Sequence, residues 1–156
     1  MGSIRSAARA VIVRDGQLLL AHCQQGDHTY FLAPGGGQEP GETLIEAVAR
    51  ECLEEIGSRV KVGRLLFVRD YIRPPQGFSY LTESPHQVEH FFECQVPDTY
   101  RPRNGPNPDS TQRGVRWLNA EELSEVNVYP DWLPKVLDSE ESAWQSIYQE
   151  DQCSRG

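Results

Sequence analysis

The sequence predicts an α/β fold, and three observations carry that expectation. Short apolar runs with turn residues between them recur along most of the 156 residues. One long stretch, Gly35 to Ser58, begins with three consecutive glycines and then has helical rather than strand periodicity. Two further helix-like segments follow the last strand candidate, near Asn119 and Asp131. The length is close to the commonest single-domain size, so one domain over 1–156 is expected, ending in a polar tail from about residue 149.

In chain order, Ser6–Cys23 reads as a hairpin turned at Asp15-Gly16, a dipeptide that accepts the backbone of a tight hairpin loop. Tyr30-Phe31-Leu32 reads as a short strand entering the glycines, with Pro34 stiffening the approach. A helix is expected from near Glu42–Thr43 to Gly57, where glycine takes the left-handed terminal conformation cheaply. At about 100° per residue, Ile45, Val48, Ala49, Cys52 and Ile56 share its apolar side. Arg59–Val62 is read as a short strand broken at Gly63, and Leu65–Ile72 as a stronger one. Gln87–Val96 and Val115–Leu118 complete the strands, with long loops at Arg73–Pro85 and Pro97–Gly114. Asn119 with Glu122 has the spacing of a capping box. A last helix is expected near Asp131, taking in Trp132, Leu133, Val136 and Leu137, with Trp144, Ile147 and Tyr148 extending the helical packing.

Glu51, Glu54 and Glu55 fall on one side of the first helix at i, i+3 and i+4, with Arg50 beside them. Like charges at this spacing cost a helix a few tenths of a kcal/mol per pair, so a positive partner is expected. A hard cation such as Mg²⁺ suits such oxygens and commonly shares itself with substrate phosphates. A solvated acidic face is the plain alternative.

The full pattern decides between them. Gly36, Glu42 after five intervening residues, then Arg50-Glu51-Cys52-Leu53-Glu54-Glu55-Ile56-Gly57 resembles the signature of the Nudix hydrolase superfamily. Its charged and glycine positions are all met; two bulky aliphatic positions hold Cys52 and Ser58 instead. The resemblance is specific between Gly35 and Gly57 and extends in outline from the first hairpin to the Trp117 strand. It implies an α/β/α sandwich with a mixed β-sheet, the signature helix on one side and a C-terminal helix on the other. It also implies a Mg²⁺-dependent pyrophosphohydrolase, with Mn²⁺ as a substitute. By that analogy Glu51, Glu54 and Glu55 are metal ligands with the Gly36 carbonyl, Arg50 orients the carboxylates, and Glu42 pairs with Arg50. Gly57 supports the helix end. Glu51 is the first choice of general base, with Glu83, Glu89 and Glu93 as downstream alternatives.

Three functions stay open at this level. One is hydrolysis of a nucleoside diphosphate linked to another moiety, such as ADP-ribose or a nucleotide sugar. Another is a nucleoside triphosphate pyrophosphatase, and the third a Nudix-fold nucleotide sensor without turnover. The long loops lean toward the first because they leave room for a bulky second moiety, and the intact carboxylates argue against the sensor. A homodimer is an open assembly.

Other classes find less support. A net charge of −8 argues against a nucleic-acid polymer as partner, and requires cations concentrated locally around any phosphate. Cys23, Cys52, Cys94 and Cys153 form no C-x-x-C pair, and Cys52 in the apolar stripe favours a reduced, cytoplasmic setting. No signal peptide or membrane span is expected. His86-Gln-Val-Glu89-His90 matches an inverted zinc-protease motif, but that motif needs a helix. In a strand the two histidines stand roughly 13 Å apart, so they are read as strand-edge or rim residues. Arg73, Arg101, Arg103 and Arg113 are read as surface charges or phosphate clamps, and Tyr30, Tyr71, Phe78 and Tyr80 as packing residues or base-stacking platforms.

Overall fold

The computed structural model describes residues 2–81, 84–138 and 147–150. Strands β1 (Ile4–Arg14) and β2 (Gln17–Gln25) form the expected hairpin. Its turn residues Asp15 and Gly16 both have positive φ, 53° and 73°, as a two-residue turn that follows the strand twist requires. Then come β3 (His28–Leu32), β4 (Gly35–Gly37), helix α1 (Leu44–Ile56), β5 (Lys61–Ile72) and β6 (His86–Gln95). Strand β7 (Gln112–Asn119), the short helix α2 (Ala120–Leu123), β8 (Val128–Tyr129), a 3₁₀ turn at Leu133–Leu137 and β9 (Tyr148–Glu150) complete the described chain.

The sheet runs β8-β3-β2-β1-β6-β5-β9, with β4 added to β1 and β7 to β2. β1 lies parallel to β6, from Ile4 opposite His86 to Ile12 opposite Cys94, while β5 and β6 are antiparallel. The sheet is therefore mixed. Leu18, Leu19 and Leu20 are all fully buried because β2 is covered on both faces. Successive side chains alternate between those faces. Leu18 and Leu20 join Val11, Phe31, Phe67 and Phe91 under Leu123, Leu133 and Val136 from the C-terminal elements. Leu19 joins Ala8, Ala10, Ile12 and Phe92 against Ala47, Val48, Cys52 and Ile56 of α1. Two apolar layers on opposite faces of one sheet make the α/β/α sandwich that the resemblance implied.

Several local expectations are corrected. Gly63 does not break a strand: β5 is continuous, and its register against β6 shifts between Val62 and Leu65 and again before Phe67. Glycine in a strand interior marks a bulge as readily as an end. Ile45 is 53% exposed, and Ala47 takes its place in the buried stripe of α1. The last helix is a 3₁₀ turn, five residues long. Ile147 and Tyr148 do not extend helical packing, because Tyr148–Glu150 pairs parallel with β5; Gln149 and Glu150, read as the start of a tail, belong to that strand. Trp144 and residues 151–156 lie outside the described residues. His86 and His90 stand on β6, an internal strand between β1 and β5 rather than a sheet edge. Among the described residues no helix is long and apolar enough to cross a membrane.

Candidate active site

Helix α1 is fixed at both ends by local sequence. Thr43 is its N-cap, its hydroxyl accepting from the Glu46 amide, while the Glu46 carboxylate accepts from the Thr43 amide. This reciprocal box satisfies two amides that a helix start leaves without partners. Gly57 closes the other end at φ 69°. The last carbonyls are taken up by the long loop that follows β6. Gly105 N and Gln112 Nε2 both donate to the Glu55 carbonyl, Asn107 N to Glu54, Tyr100 Oη to Ile56 and Arg103 Nη2 to Gly57.

Arg50 is the latch between helix α1 and the glycine strand β4. Its Nε and Nη2 donate to Glu42 Oε2 and Oε1 at 3.0 and 2.7 Å, the bidentate pairing expected between these residues. Nη2 also donates to the Gly37 carbonyl, and Nη1 to Glu51 Oε1 and Glu54 Oε2. The hydrogen bonds from Arg50 hold the Glu42 carboxyl below the usual carboxylate range. The positive partner demanded by three crowded glutamates is, in part, this guanidinium.

Glu55 points inward and is 3% exposed. Its Oε1 accepts from Gly35 N at 3.3 Å, and its buried Oε2 has no donor. Burial first, then the neighbouring Glu51 and Asp109, push its carboxyl well above the usual range. Gly36 is glycine for steric reasons: a Cβ there would stand 2.8 Å from the Glu51 carboxylate. An acceptor-only cluster, an orphaned buried oxygen and a glycine strand pressed against a carboxylate together fit a hard divalent cation. Arg50 holds two of the three glutamates, and among the described residues no three such side chains already converge on one point.

A cleft of about 170 Å³ opens beside Glu51, Gly35 and Gly36. Arg5 and Arg9 of β1 line it, with Tyr30 of β3, Tyr80 and Leu81 from the loop after β5, and Asp109–Thr111 from the loop after β6. Phe78 and Tyr129 pack against Tyr30, and Tyr71 stacks on Tyr80 at 4.8 Å between ring centroids. Of the four loop arginines, Arg103 is spent on the Gly57 carbonyl and Arg113 on the Ser110 and Gln112 carbonyls, while Arg73 and Arg101 are exposed; none lines this cleft.

The downstream base candidates fare differently. Glu83 lies outside the described residues. Glu93 is exposed on β6, 3.9 Å from Arg64 and away from the cleft lining. Glu89 is 1% exposed and bonded by Arg9, Arg69, Tyr80 and Gln87. Burial alone would raise its pKa, but the two guanidiniums prevail and lower it, which makes a poor base. The two histidines part company: His86 Nε2 is 2.6 Å from Asp70 Oδ1, and His90 Nδ1 is 2.9 Å from the Ala7 carbonyl. Arg9, Arg69 and Gln87 were not singled out from sequence. The available signal was one charge, Arg9, within the apolar run Ala7 to Ile12.

Residues 4–138 match the family model described as NUDIX domain. A MutT-like protein of Streptomyces ambofaciens is 33% identical over 136 residues, covering 85% of this chain and 76% of that protein. Nucleoside triphosphatase NudI of Enterobacter sp. (strain 638) is 39% identical over 62 residues, a match spanning 38% of this chain and only 44% of that relative. Among solved structures, a UDP-X diphosphatase superposes with a TM-score of 0.68 at 22% identity, over 97% of this chain and 68% of that one, a likeness of fold. By the residues that match the family model and by its 33%-identical relative, the chain belongs to the Nudix hydrolase family, enzymes that cleave phosphoanhydride bonds of small nucleotide substrates and generally use a divalent metal ion.

Proposed function

We propose that this protein is a Mg²⁺-dependent pyrophosphohydrolase acting on a nucleoside diphosphate linked to another moiety, with Mn²⁺ as a substitute metal. The observation that carries the reading is the construction of the cleft. Both long loops contribute to its lining, Tyr80-Leu81 from one and Asp109–Thr111 from the other, together with Glu51 and Gly36. A substrate whose pyrophosphate lies at Glu51 then meets side chains from both loops that can hold a group beyond the diphosphate. Glu51, Glu54, Glu55 and the Gly36 carbonyl would hold the metal. When bound, such an ion neutralises pyrophosphate oxygens and lowers the pKa of water.

The chain supplies the rest. Arg50 fixes Glu51 Oε1 and so sets the direction of the carboxylate that takes a proton from the attacking water. The water oxygen bonds to phosphorus as the P–O anhydride bond breaks, leaving a nucleoside monophosphate and the phosphorylated second moiety. Arg5 and Arg9 provide positive charge in a molecule of net charge −8, and Tyr80 contributes aromatic surface to the cleft lining.

A second reading is favoured by one observation. The 62 residues shared at 39% identity with a nucleoside triphosphatase support cleavage of a triphosphate to monophosphate and pyrophosphate. A panel of nucleoside triphosphates, ADP-ribose, nucleotide sugars and dinucleoside polyphosphates, with products identified, separates the two. The highest kcat/KM is expected on a diphosphate-linked substrate; highest activity on triphosphates with pyrophosphate release would overturn the first reading. Glu54→Gln should keep the fold and lower kcat by on the order of 10²-fold or more.

A further inference from the structure

On the sheet face that carries Phe67 and Phe91, strand register assembles a buried polar cluster. Arg69 of β5 stands directly opposite Glu89 of β6. Arg9 of β1 reaches the same carboxylate from the neighbouring strand. Glu89 Oε2 accepts from Arg9 Nε at 3.1 Å and Gln87 Nε2 at 2.9 Å; Oε1 accepts from Arg69 Nη1 at 2.8 Å and Tyr80 Oη at 3.0 Å. A carboxylate removed from water needs such complete pairing, since its lost hydration must be replaced by hydrogen bonds and counter-charge.

The cluster reaches outward in two directions. Tyr80 stands in the cleft wall. Arg9 Nη1 donates to the carbonyls of Ala33 at 3.0 Å and Gly35 at 3.3 Å, on either side of Pro34. Gly35 is the residue whose amide donates to Glu55. Its φ of 149° and the clash that a Cβ would make with the Ala8 carbonyl show how closely β4 is set on β1. The glycine strand β4 is thus gripped by two guanidiniums, Arg50 on the Gly37 carbonyl and Arg9 on that of Gly35.

We propose that Arg9 is a positioning residue for hydrolysis, holding the Gly35–Gly36 segment of β4 against Glu51 and Glu55, and that Tyr80 in the cleft wall bears on it through Glu89. The inference rests on the metal being held at the α1 glutamates. A network that merely filled a buried polar site would change stability alone. A positioning network changes metal binding and turnover at constant substrate affinity.

Arg9→Lys tests it, because lysine keeps the positive charge beside Glu89 but lacks the fork that reaches the carboxylate and the carbonyls together. Three quantities are measured: kcat, nucleotide KM, and the Mg²⁺ midpoint of the melting-temperature rise without substrate. Loss of an outer support typically costs about 10–100-fold in metal affinity or activity. The expected result is a kcat lower by about tenfold or more and a metal midpoint higher by about tenfold, with KM within about threefold. Tyr80→Phe, which removes one hydroxyl, should lower kcat in the same manner and to a smaller degree. A metal midpoint within about twofold of the parent in Arg9→Lys overturns the inference, whatever the melting temperature. If Arg9→Lys has no folded state, Tyr80→Phe decides: unchanged kcat, or a change in KM alone, overturns it. Glu54→Gln separates the two failures. Loss of the metal response there, with a normal response in Arg9→Lys, rejects this inference only; a parent that shows no metal response rejects the metal assignment and this inference with it.

Discussion

Glu46 and Glu55 lie on one helix and do opposite work. Glu46 is exposed and closes the capping box with Thr43, whereas Glu55 is buried with one oxygen unpartnered. Without metal, burial and the neighbouring Glu51 both oppose the charge on Glu55. Glu55→Gln should therefore leave the metal-free protein at least as stable as the parent. Mg²⁺ should stabilise the parent by about 2.7 kcal/mol at a hundredfold excess over Kd, and the variant by much less. Glu46→Gln is the control, since glutamine also serves in a capping box, and it should respond to Mg²⁺ as the parent does. Melting curves with and without metal check this; equal responses from the two variants would mean the ion is held elsewhere. Such roles were legible where residues are local in sequence. The Glu42–Arg50 pair followed from the signature and is present at 2.7 Å. The Arg9–Glu89–Arg69 cluster was not legible, because it joins residues 80 and 20 positions apart and exists only once β1, β5 and β6 are in register.

At the scale of elements, two glycines bound the active-site stretch for different physical reasons. Gly57 needs its backbone: φ is 69°, in the left-handed region that side chains resist. Gly57→Ala should cost about 1 kcal/mol of stability and little kcat. Gly36 has no such φ and needs only space, since a Cβ would displace the Glu51 carboxylate 2.8 Å away. Gly36→Ala should accordingly lower kcat by about tenfold or more with little change in melting temperature. Stability loss in the second and kcat loss in the first would reverse these assignments. Element type was legible wherever turn chemistry and periodicity agreed, as in the Asp15-Gly16 hairpin, α1, β6 and the Asn119–Glu122 box. It was not where one signal has two structural solutions. Gly63 allowed either a break or a bulge, and tertiary pairing with β6 chose the bulge. Ile45 had the right spacing for the core but lies in the first turn of α1, exposed, with Ala47 turned inward.

At the scale of the whole molecule, a sheet covered on both faces buries Glu89 at the centre of its polar cluster, and this gives stability a pH dependence of known sign. Burial would raise the Glu89 pKa, yet Arg9 and Arg69 lower it below its ordinary value of 4.5. A carboxylate whose folded pKa is depressed contributes stability that is fully present above its unfolded pKa. That contribution is lost as pH falls through the folded pKa. Glu55 has the opposite sign: its raised pKa makes ionisation cost stability as pH rises above 4.5 in the metal-free protein. Comparing the parent with Glu89→Gln cancels the Glu55 contribution, since both proteins carry it. At pH 7 the variant should be less stable by about 3–5 kcal/mol, because two buried guanidiniums lose their counter-charge. The gap should stay constant down to about pH 5 and narrow below about pH 4.5, as the parent protonates Glu89 and the variant has nothing there to protonate. Urea unfolding followed by tryptophan fluorescence from pH 7 to 3 measures it. A gap that held constant to pH 3, or widened on acidification, would show that Glu89 is not the ionised centre of this cluster.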